Sequence, residues 1–281
     1  MALFNKSSGN TFAEIAISDT HTGEKKALMY PDPALDYRPN SWQRWLFQHF
    51  TLFQEEADRI ISKWKADYVH VSCLGDMGSM RYKHGGNGDF WAHSEDEVIA
   101  NTAQLFGPLA KTADAMHWIH GNSAHVGANG KLDNLIARDF ADVVVKDPVS
   151  DRYVHPAVDL SFQDVLFNYT HKGKNRTKWT TINGLISLSA EVALDRAKKG
   201  EKIPDVIGRG HFHFQQHVRD IKPIVVSLGG WKLKDEFVTY IDPVDETPHV
   251  GGEVIIVRDG EIVDMHSIKY SPERNRPWTP K

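Results

Sequence analysis

The sequence has little cysteine: Cys73 is the single one among its 281 residues. An internal disulfide therefore cannot form, and neither a disulfide scaffold nor a cysteine-based zinc site can be built. A chain that needs no disulfide suits a reducing compartment, so the sequence predicts a cytoplasmic location. Any metal site would have to use oxygen and imidazole ligands instead.

The sequence also lacks a strong net charge and long apolar runs. Its formal net charge is -4 at pH 7, so no whole-chain attraction to nucleic acid or anionic lipid is expected. No run approaches the roughly 18 apolar residues that a membrane-spanning helix needs. The hydrophobic fraction of 41% is that of an ordinary globular protein. We therefore expect a globular chain with no membrane contact and no obligate protein partner.

The first part of the sequence alternates between strand and helix patterns. Residues 12 to 18 alternate apolar and polar side chains as a strand does, and residues 67 to 74 form a second β-rich run. Between these two runs, apolar residues recur at helical spacing from 41 to 66, and Ser41 is the expected N-cap. Both β-rich runs end in a loop, at residues 19 to 21 and at residues 75 and 76.

The same alternation continues after an irregular stretch. Residues 77 to 93 are rich in glycine and lack periodicity, which predicts an irregular insertion. Ser94 and Glu97 have the spacing of a capping box and predict a helix that continues to residue 114. A strand is predicted at residues 115 to 120. Repeated strand, loop and helix units favour an α/β layered fold, in which ligands bind at the carboxyl ends of strands.

The remainder of the chain adds further strands and one helix. Strands are predicted at 142 to 145, 164 to 169, 205 to 207, 224 to 228, 253 to 257 and 261 to 268, and a helix at 183 to 198. Asp259 and Gly260 are typical of the tight turn of a hairpin. The tail from residue 271 is predicted to be loosely held. With no repeat or linker, residues 1 to 281 are predicted to form one domain.

The fifteen histidines of the sequence are its most informative feature. Several of them, with aspartate and asparagine, come just after a predicted strand. The residues concerned are Asp19, His21, Asp76, Asn122, His171, His211 and His213. Carboxylate and imidazole together suit borderline divalent metals such as Mn, Fe, Zn, Co or Ni. The glycines before Asp76, Asn122 and His211 permit tight turns near a metal.

This ordered set of motifs resembles the calcineurin-like metallophosphoesterase family, whose pattern is D-x-H, G-D, G-N-H, H and G-H-x-H. The resemblance covers residues 13 to 230. It implies a four-layer αββα sandwich with two mixed β-sheets flanked by helices, and two divalent metal ions, Mn being favoured over Fe, Zn, Ni or Co. The implied reaction is hydrolysis of phosphomonoesters or phosphodiesters by attack of a hydroxide that bridges the two metals.

The resemblance also implies a role for each strand-end residue. One metal would be held by Asp19, His21 and His213, and the other by Asn122, His171 and His211. Asp76 would bridge the two metals, which makes it the least replaceable ligand. Asp76 and Asn122 are also predicted to take part in catalysis.

One position departs from the family pattern. The family usually has histidine directly after the asparagine, whereas this sequence has Ser123 there and the nearest imidazole is that of His125. We therefore predict His125 as the replacement general acid, provided that the loop after Asn122 curls by a turn. Protonation of the leaving group by such a residue typically contributes about 10²- to 10⁴-fold to the rate.

The substrate is left open by these residues, because the family uses nearly the same ligands on small phosphoesters and on nucleic acids. Residues 172 to 178 contain four cations and Trp179 follows, which favours a nuclease as one alternative. A second alternative is a metal-binding scaffold with little turnover, in which the displaced histidine marks a lost acid. His84 is a further candidate for lining the cleft. The other histidines are interpreted as structural or surface residues.

Overall fold

The computed structural model describes residues 2–4, 9–82, 89–172, 181–233 and 249–271. The described strands, in chain order, are β1 (Ala2–Phe4), β2 (Thr11–Ile17), β3 (Tyr68–Cys73), β4 (Ala115–Ile119), β5 (Val154–His155), β6 (Val158–Phe162), β7 (Val165–Thr170), β8 (Val206–Arg209), β9 (Gln216–Val218), β10 (Ile224–Ser227), β11 (Val250–Arg258) and β12 (Glu261–Tyr270). The described α-helices are α1 (Ser41–Trp64), α2 (Glu95–Thr112), α3 (Ser123–Val126), α4 (Lys131–Arg138) and α5 (Thr181–Lys199).

The strands form two mixed sheets of six strands each. The first sheet has the order β1-β6-β7-β8-β10-β9, and the second has the order β12-β11-β2-β3-β4-β5. In the second sheet β2, β3, β4 and β5 are parallel, while β11 and β12 are antiparallel neighbours at one side. In the first sheet β7, β8 and β10 are parallel. The carboxyl ends of parallel neighbours therefore lie at a common edge within each sheet.

Three apolar layers hold the fold together. The largest packs α1, α2 and α4 against the outer face of the second sheet and contains Phe50, Phe106 and Trp118. A second layer lies between the sheets and includes Phe162 and Phe167. A smaller third layer packs α5 against β8 and β10 of the first sheet. Helices on the outer faces of two stacked sheets make the four-layer αββα sandwich that was predicted.

Local sequence signals explain the starts of α1 and α2 and the turn of the hairpin of β11 and β12. Ser94 caps α2, and its reciprocal hydrogen bonds with Glu97 confirm the capping box. The hairpin of β11 and β12 is also confirmed, with Asp259 and Gly260 at its turn. The predicted N-cap of α1 was wrong by one residue. Asn40 is the cap, because the residue three positions later is Gln43, whose side chain bonds back to Asn40 as a capping box requires.

The predicted strand at residues 142 to 145 was also wrong. Only Val144 pairs with the sheet, as an isolated bridge to Met116. The backbone N–H groups of Val143 and Val144 instead donate to the carbonyl of Phe140 and form a turn. These N–H groups are therefore not available for the hydrogen bonds of a longer β-strand. Several short elements were not predicted, namely β1, β5, β6, β9, α3 and α4.

Candidate metal centre

All seven predicted ligands lie just after strands at the common edge of the two sheets. Asp19 and His21 follow β2, Asp76 follows β3, Asn122 follows β4, His171 follows β7, and His211 and His213 follow β8. Because β2, β3 and β4 are parallel neighbours, as are β7 and β8, the topology brings these loops together. The fold thus places residues that are up to 194 positions apart in sequence near one another.

The backbone of these loops is unusual. Eleven described residues other than glycine have a positive φ, and five of them are predicted ligands with φ between 47° and 73°. These five are Asp19, His21, Asp76, His211 and His213. Side chains other than glycine rarely occupy this region, and such conformations concentrate at functional sites. The strain therefore points to a functional site at this edge of the sandwich.

The first ligand group consists of Asp19, His21 and His213, whose ligand atoms all lie within 4.8 Å of one another. The Nε2 atoms of His21 and His213 are 3.1 Å apart, and Asp19 Oδ1 is 3.6 Å and 3.3 Å from them. The other oxygen of Asp19 accepts hydrogen bonds from the Ser18 hydroxyl and the His211 backbone N–H. One carboxylate oxygen is thus used to fix the loops, and the other faces the two imidazoles.

The second ligand group consists of Asp76, His171 and His211, again with ligand atoms within 4.8 Å. Asp76 Oδ2 is 3.1 Å from Nε2 of His171, and Asp76 Oδ1 accepts the backbone N–H of Asn122 at 2.7 Å. The Nδ1 atom of His171 is 2.7 Å from the carbonyl oxygen of Leu74. Since a carbonyl only accepts, Nδ1 carries a proton, and in the neutral ring Nε2 offers its lone pair to a metal.

Asn122 has a structural role in addition to the predicted one. Its side-chain oxygen accepts the backbone N–H of Ala124 and caps α3. An amide oxygen has two lone pairs, so this cap leaves one for a metal. Coordination by Asn122 stays a prediction.

His125 is brought to the site by α3, which is a single helical turn after Asn122. A third group of ligand atoms within 4.8 Å consists of His21, Asp76 and His125. The ring centroids of His21 and His125 are 4.5 Å apart. The turn on which the prediction for His125 depended is therefore present, and His125 lies beside both ligand groups. Its role in catalysis stays a prediction.

The buried polar atoms and charges of the site fit divalent cations. Among the described residues, Asp19 Oδ1 and His171 Nε2 are buried and form no aligned hydrogen bond. Burial would lower the pKa of His171, but the charges of Asp76 and Asp19 outweigh it and raise that pKa to about 10. Burial and the charge of His171 lower the pKa of His211 to about 4. The negative potential that stabilises a proton here would also attract a divalent cation.

Sequence reasoning missed four residues that support the site, namely Asp133, Glu24, Ser79 and Lys232. Asp133 accepts hydrogen bonds from backbone N–H groups of the loops after β3 and β4. Glu24 is buried and lies near His21, His125, Ser79 and Lys232. Their contacts join segments that are far apart in sequence, so only the tertiary fold reveals these roles.

A cavity of about 410 Å³ opens beside the second ligand group. It is lined by His120, Gly121, Asn122, Pro156, Thr170, His171, Lys172 and His211. The cations predicted at residues 173 to 178, the aromatic Trp179 and His84 lie outside the described residues. Within the described ranges, none of the helices combines the length and apolar character needed to cross a lipid bilayer.

Comparisons with known proteins gave structural similarities at low sequence identity. No protein-family model matches the chain, and no curated protein matches it in sequence. Among solved structures, the chain is similar to Vps29 of Entamoeba histolytica complexed with Zn²⁺, with 11% identity, coverage of 92% of this chain and 98% of that chain, and a TM-score of 0.41.

Two further similarities are to an archaeal protein and a bacterial protein. A novel archaeal phosphodiesterase shares 16% identity, with coverage of 92% of this chain and 99% of that chain and a TM-score of 0.40. A putative 5'-nucleotidase of Staphylococcus aureus shares 12% identity, with coverage of 97% of this chain and 56% of that chain and a TM-score of 0.44. In the order of its ligand motifs and the arrangement of its two sheets, the chain resembles the calcineurin-like metallophosphoesterases.

Proposed function

We propose that this chain is a metal-dependent phosphoric ester hydrolase with a dinuclear centre. The observation that carries the proposal is the pair of three-residue ligand groups at one edge of the sandwich, with Asp76 and His21 also forming the group that contains His125. The ordered motifs D-x-H, G-D, G-N, H and G-H-x-H add support, because they resemble those of phosphoester hydrolases. The adjoining cavity of about 410 Å³ has room for the organic part of an ester.

The proposal assigns roles to the residues of the two groups. Asp19, His21 and His213 would hold one cation, and Asn122, His171 and His211 would hold the other, with Asp76 between them. We favour Mn, with Fe, Zn, Ni or Co as alternatives, since carboxylate and imidazole ligands suit these ions. When bound, such cations supply Lewis acidity, which neutralises phosphoryl charge and makes water acidic enough to act as a nucleophile near neutral pH.

Two further side chains are proposed to act on the leaving group and on substrate binding. His125 lies beside both ligand groups and is proposed to protonate the oxygen of the leaving group. Lys172 lines the cavity and would attract the anionic substrate to its mouth. We propose a phosphomonoester or phosphodiester as substrate, in a cytoplasmic protein that forms one domain.

Hydrolysis assays on metal-stripped protein test the proposal. We expect turnover of p-nitrophenyl phosphate or bis-p-nitrophenyl phosphate after addition of Mn, Ni, Zn or Mg, and loss of turnover in Asp76→Ala. Asp139→Ala is a matched control, since Asp139 is an exposed carboxylate at the end of α4. Turnover that survives in Asp76→Ala, or that needs no metal, would contradict the proposal.

A second candidate is a metal-binding scaffold with little turnover. It is favoured by Ser123, which stands where the family usually has a histidine. Tight binding of metal without hydrolysis of any phosphoester would support this candidate over the enzyme. The nuclease alternative depends on residues 173 to 178, which lie outside the described residues. Salt-sensitive DNA cleavage that Lys174→Ala weakens, while hydrolysis of a small diester is unaffected, would favour the nuclease.

A further inference from the structure

Glu24 is a buried carboxylate in contact with residues from several separate loops. Its side chain is only 4% exposed. Lys232 Nζ is 2.6 Å from its Oε2 atom, and the Ser79 hydroxyl donates to its Oε1 atom at 2.7 Å. The same Oε1 atom is 3.5 Å from Nδ1 of His125 and 3.4 Å from Nδ1 of His21. One carboxylate thus lies next to the proposed proton donor and a proposed metal ligand.

The charge of Glu24 is compensated by Lys232. A buried ion pair whose partners are close and also hydrogen-bonded can offset much of the cost of removing both charges from water. The ammonium group of Lys232 on Oε2 and the hydroxyl donor of Ser79 on Oε1 both stabilise the charged form of this buried carboxylate. The carboxylate is therefore ionised and can only accept hydrogen bonds.

This acceptor fixes where the protons of the network lie. A serine hydroxyl has one proton, and that of Ser79 is donated to Glu24. The Ser79 oxygen is also 3.1 Å from Nδ1 of His125, and it can only accept in that contact. Nδ1 of His125 must then carry a proton. In the neutral ring Nε2 has the lone pair, and in the charged ring Nε2 carries the proton that can be transferred.

His21 also lies close to the carboxylate of Glu24. Its Nδ1 atom is 3.4 Å from Glu24, a close electrostatic contact without the alignment of a hydrogen bond. Its Nε2 atom is 3.1 Å from Nε2 of His213, within the first ligand group. A negative charge beside Nδ1 favours a proton at that nitrogen and leaves the Nε2 lone pair for a metal.

We propose that Glu24 is a positioning residue that sets the tautomer of both imidazoles, acting on His125 through Ser79 and on His21 directly. The part that concerns proton donation rests on the proposed function. In that step the P–O bond breaks and the leaving oxygen takes the Nε2 proton of charged His125. Water adds its hydroxyl to phosphorus and releases its other proton, and neutral His125 regains a proton from solvent.

Nitrogen NMR of the metal-free protein tests the proposal without any assay of activity. We expect neutral His125 and His21 to be protonated at Nδ1 in the natural sequence, and that preference to be lost in Glu24→Gln. Ser79→Ala should remove the preference at His125 and keep it at His21, because it breaks the relay and keeps the Glu24–Lys232 pair. This variant also serves if Glu24→Gln does not fold. Protonation at Nε2 of His125 in the natural sequence would overturn the proposal.

Leaving-group dependence tests the link to catalysis. A p-nitrophenolate leaving group needs little protonation, whereas phenolate needs more. Ser79→Ala and Glu24→Gln are expected to lower kcat for phenyl phosphate by about 10²-fold and for p-nitrophenyl phosphate by much less. Glu56→Gln, a surface carboxylate paired with Arg59, should leave both rates unchanged. Equal losses on the two esters would overturn the link.

A double-mutant cycle separates positioning from a general structural defect. Once His125→Ala has removed the proton donor, adding Ser79→Ala should change the ratio of the two rates no further. Additive effects on that ratio would show that Ser79 does not act through His125 and would overturn the relay. If the natural sequence hydrolysed neither ester with any metal, the proposed function would fail, while the NMR result would still decide where Glu24 places the protons.

Discussion

The carboxylate of Asp133 accepts a hydrogen bond from the backbone N–H of Asp76, with 3.2 Å between the two atoms. It also accepts the N–H groups of Met77 at 3.1 Å and Gly121 at 2.8 Å. A single side chain on α4 therefore ties the loop after β3 to the loop after β4. Burial, and then the charge of Asp76, raise the pKa of Asp133 to about 7, although the N–H bonds oppose this shift.

We predict that Asp133→Asn weakens the metal centre and lowers stability. Asparagine would direct an amide donor toward backbone donors, so at least one N–H group would lose its acceptor. We expect a loss of about 3 kcal/mol in the free energy of unfolding and a 10- to 100-fold loss of metal affinity, as is typical for partners of metal-bound groups. Urea unfolding of metal-free protein and equilibrium dialysis with Mn²⁺ measure these two quantities.

Asp139→Asn is the control for this prediction, because Asp139 is exposed at the end of the same helix. It should change neither stability nor metal affinity appreciably. Unchanged metal binding in Asp133→Asn would show that the loops keep their positions without this carboxylate.

We predict that Gly121→Ala disrupts the same loops by steric overlap. An added Cβ would overlap the Oδ1 atom and the backbone nitrogen of Asp76. Because Asp76 is held by the backbone around it, the loop after β4 would have to move, and bound metal should fall in a dialysis experiment. Thermal melting should occur at lower temperature than in the natural sequence.

Gly107→Ala is the control for Gly121→Ala: the same glycine-to-alanine change is expected to raise stability and to leave metal binding unchanged. A Cβ at Gly107 would meet nothing within 4 Å, and Gly107 lies inside α2. Alanine should stabilise the helix there by about 0.5–1 kcal/mol and leave metal binding intact. Similar metal loss in both variants would argue against the steric explanation.

Parts of the fold could be predicted from sequence because their signals are local. The helical periodicity of α1, the Ser94 capping box and the Asp-Gly turn each depend on residues close together in sequence. The strand predicted at residues 142 to 145 was wrong because its β-branched residues do not reveal that Phe140 accepts two of their N–H groups in a turn. The conformation of residues 142 to 145 is therefore set by these turn hydrogen bonds, and the β propensity of the residues does not determine it.

The candidate site, like the fold, could be predicted from sequence only in part. Strand-end residues could be selected from sequence, since a parallel sheet gathers its carboxyl ends at one edge. The structure brings six of the seven into two groups with ligand atoms within 4.8 Å, and their role as ligands stays a prediction. Glu24 and Ser79 could not be selected, because their contact spans 55 positions and depends on how two irregular loops pack.

We predict that the two ligand groups bind metal separately. His213 belongs only to the first group and His211 only to the second. His213→Ala and His211→Ala should therefore each lower the bound metal by about one equivalent. Asp76→Ala should lower it further, since Asp76 belongs to two of the three groups. Elemental analysis after gel filtration measures the stoichiometry.

His49→Ala is the control for metal stoichiometry, because His49 lies on α1 beside Trp45 and Tyr270. It should retain the full metal content. Loss of all bound metal in either single ligand variant would contradict separate binding and would indicate one jointly held cation.

We predict that buried His117 makes stability depend on pH. Burial, and then the charges of His70 and His155, lower its pKa in the folded protein to about 2. The ordinary value is 6.5. Below pH 6.5 the unfolded chain therefore gains a proton that the folded protein does not, so the free energy of unfolding falls as pH decreases from 6.5 toward 2.

Replacement of His117 by glutamine isolates this effect from other titrating groups. The natural sequence should lose about 1 kcal/mol more than His117→Gln for each pH unit below 6, and the two should run parallel above pH 7. Glutamine can still hydrogen-bond to His70, which is 2.8 Å from His117 in the natural sequence. Urea unfolding of metal-free protein at pH 5, 6, 7 and 8 measures the difference. Equal pH slopes in both proteins would show that His117 takes up a proton in the folded state.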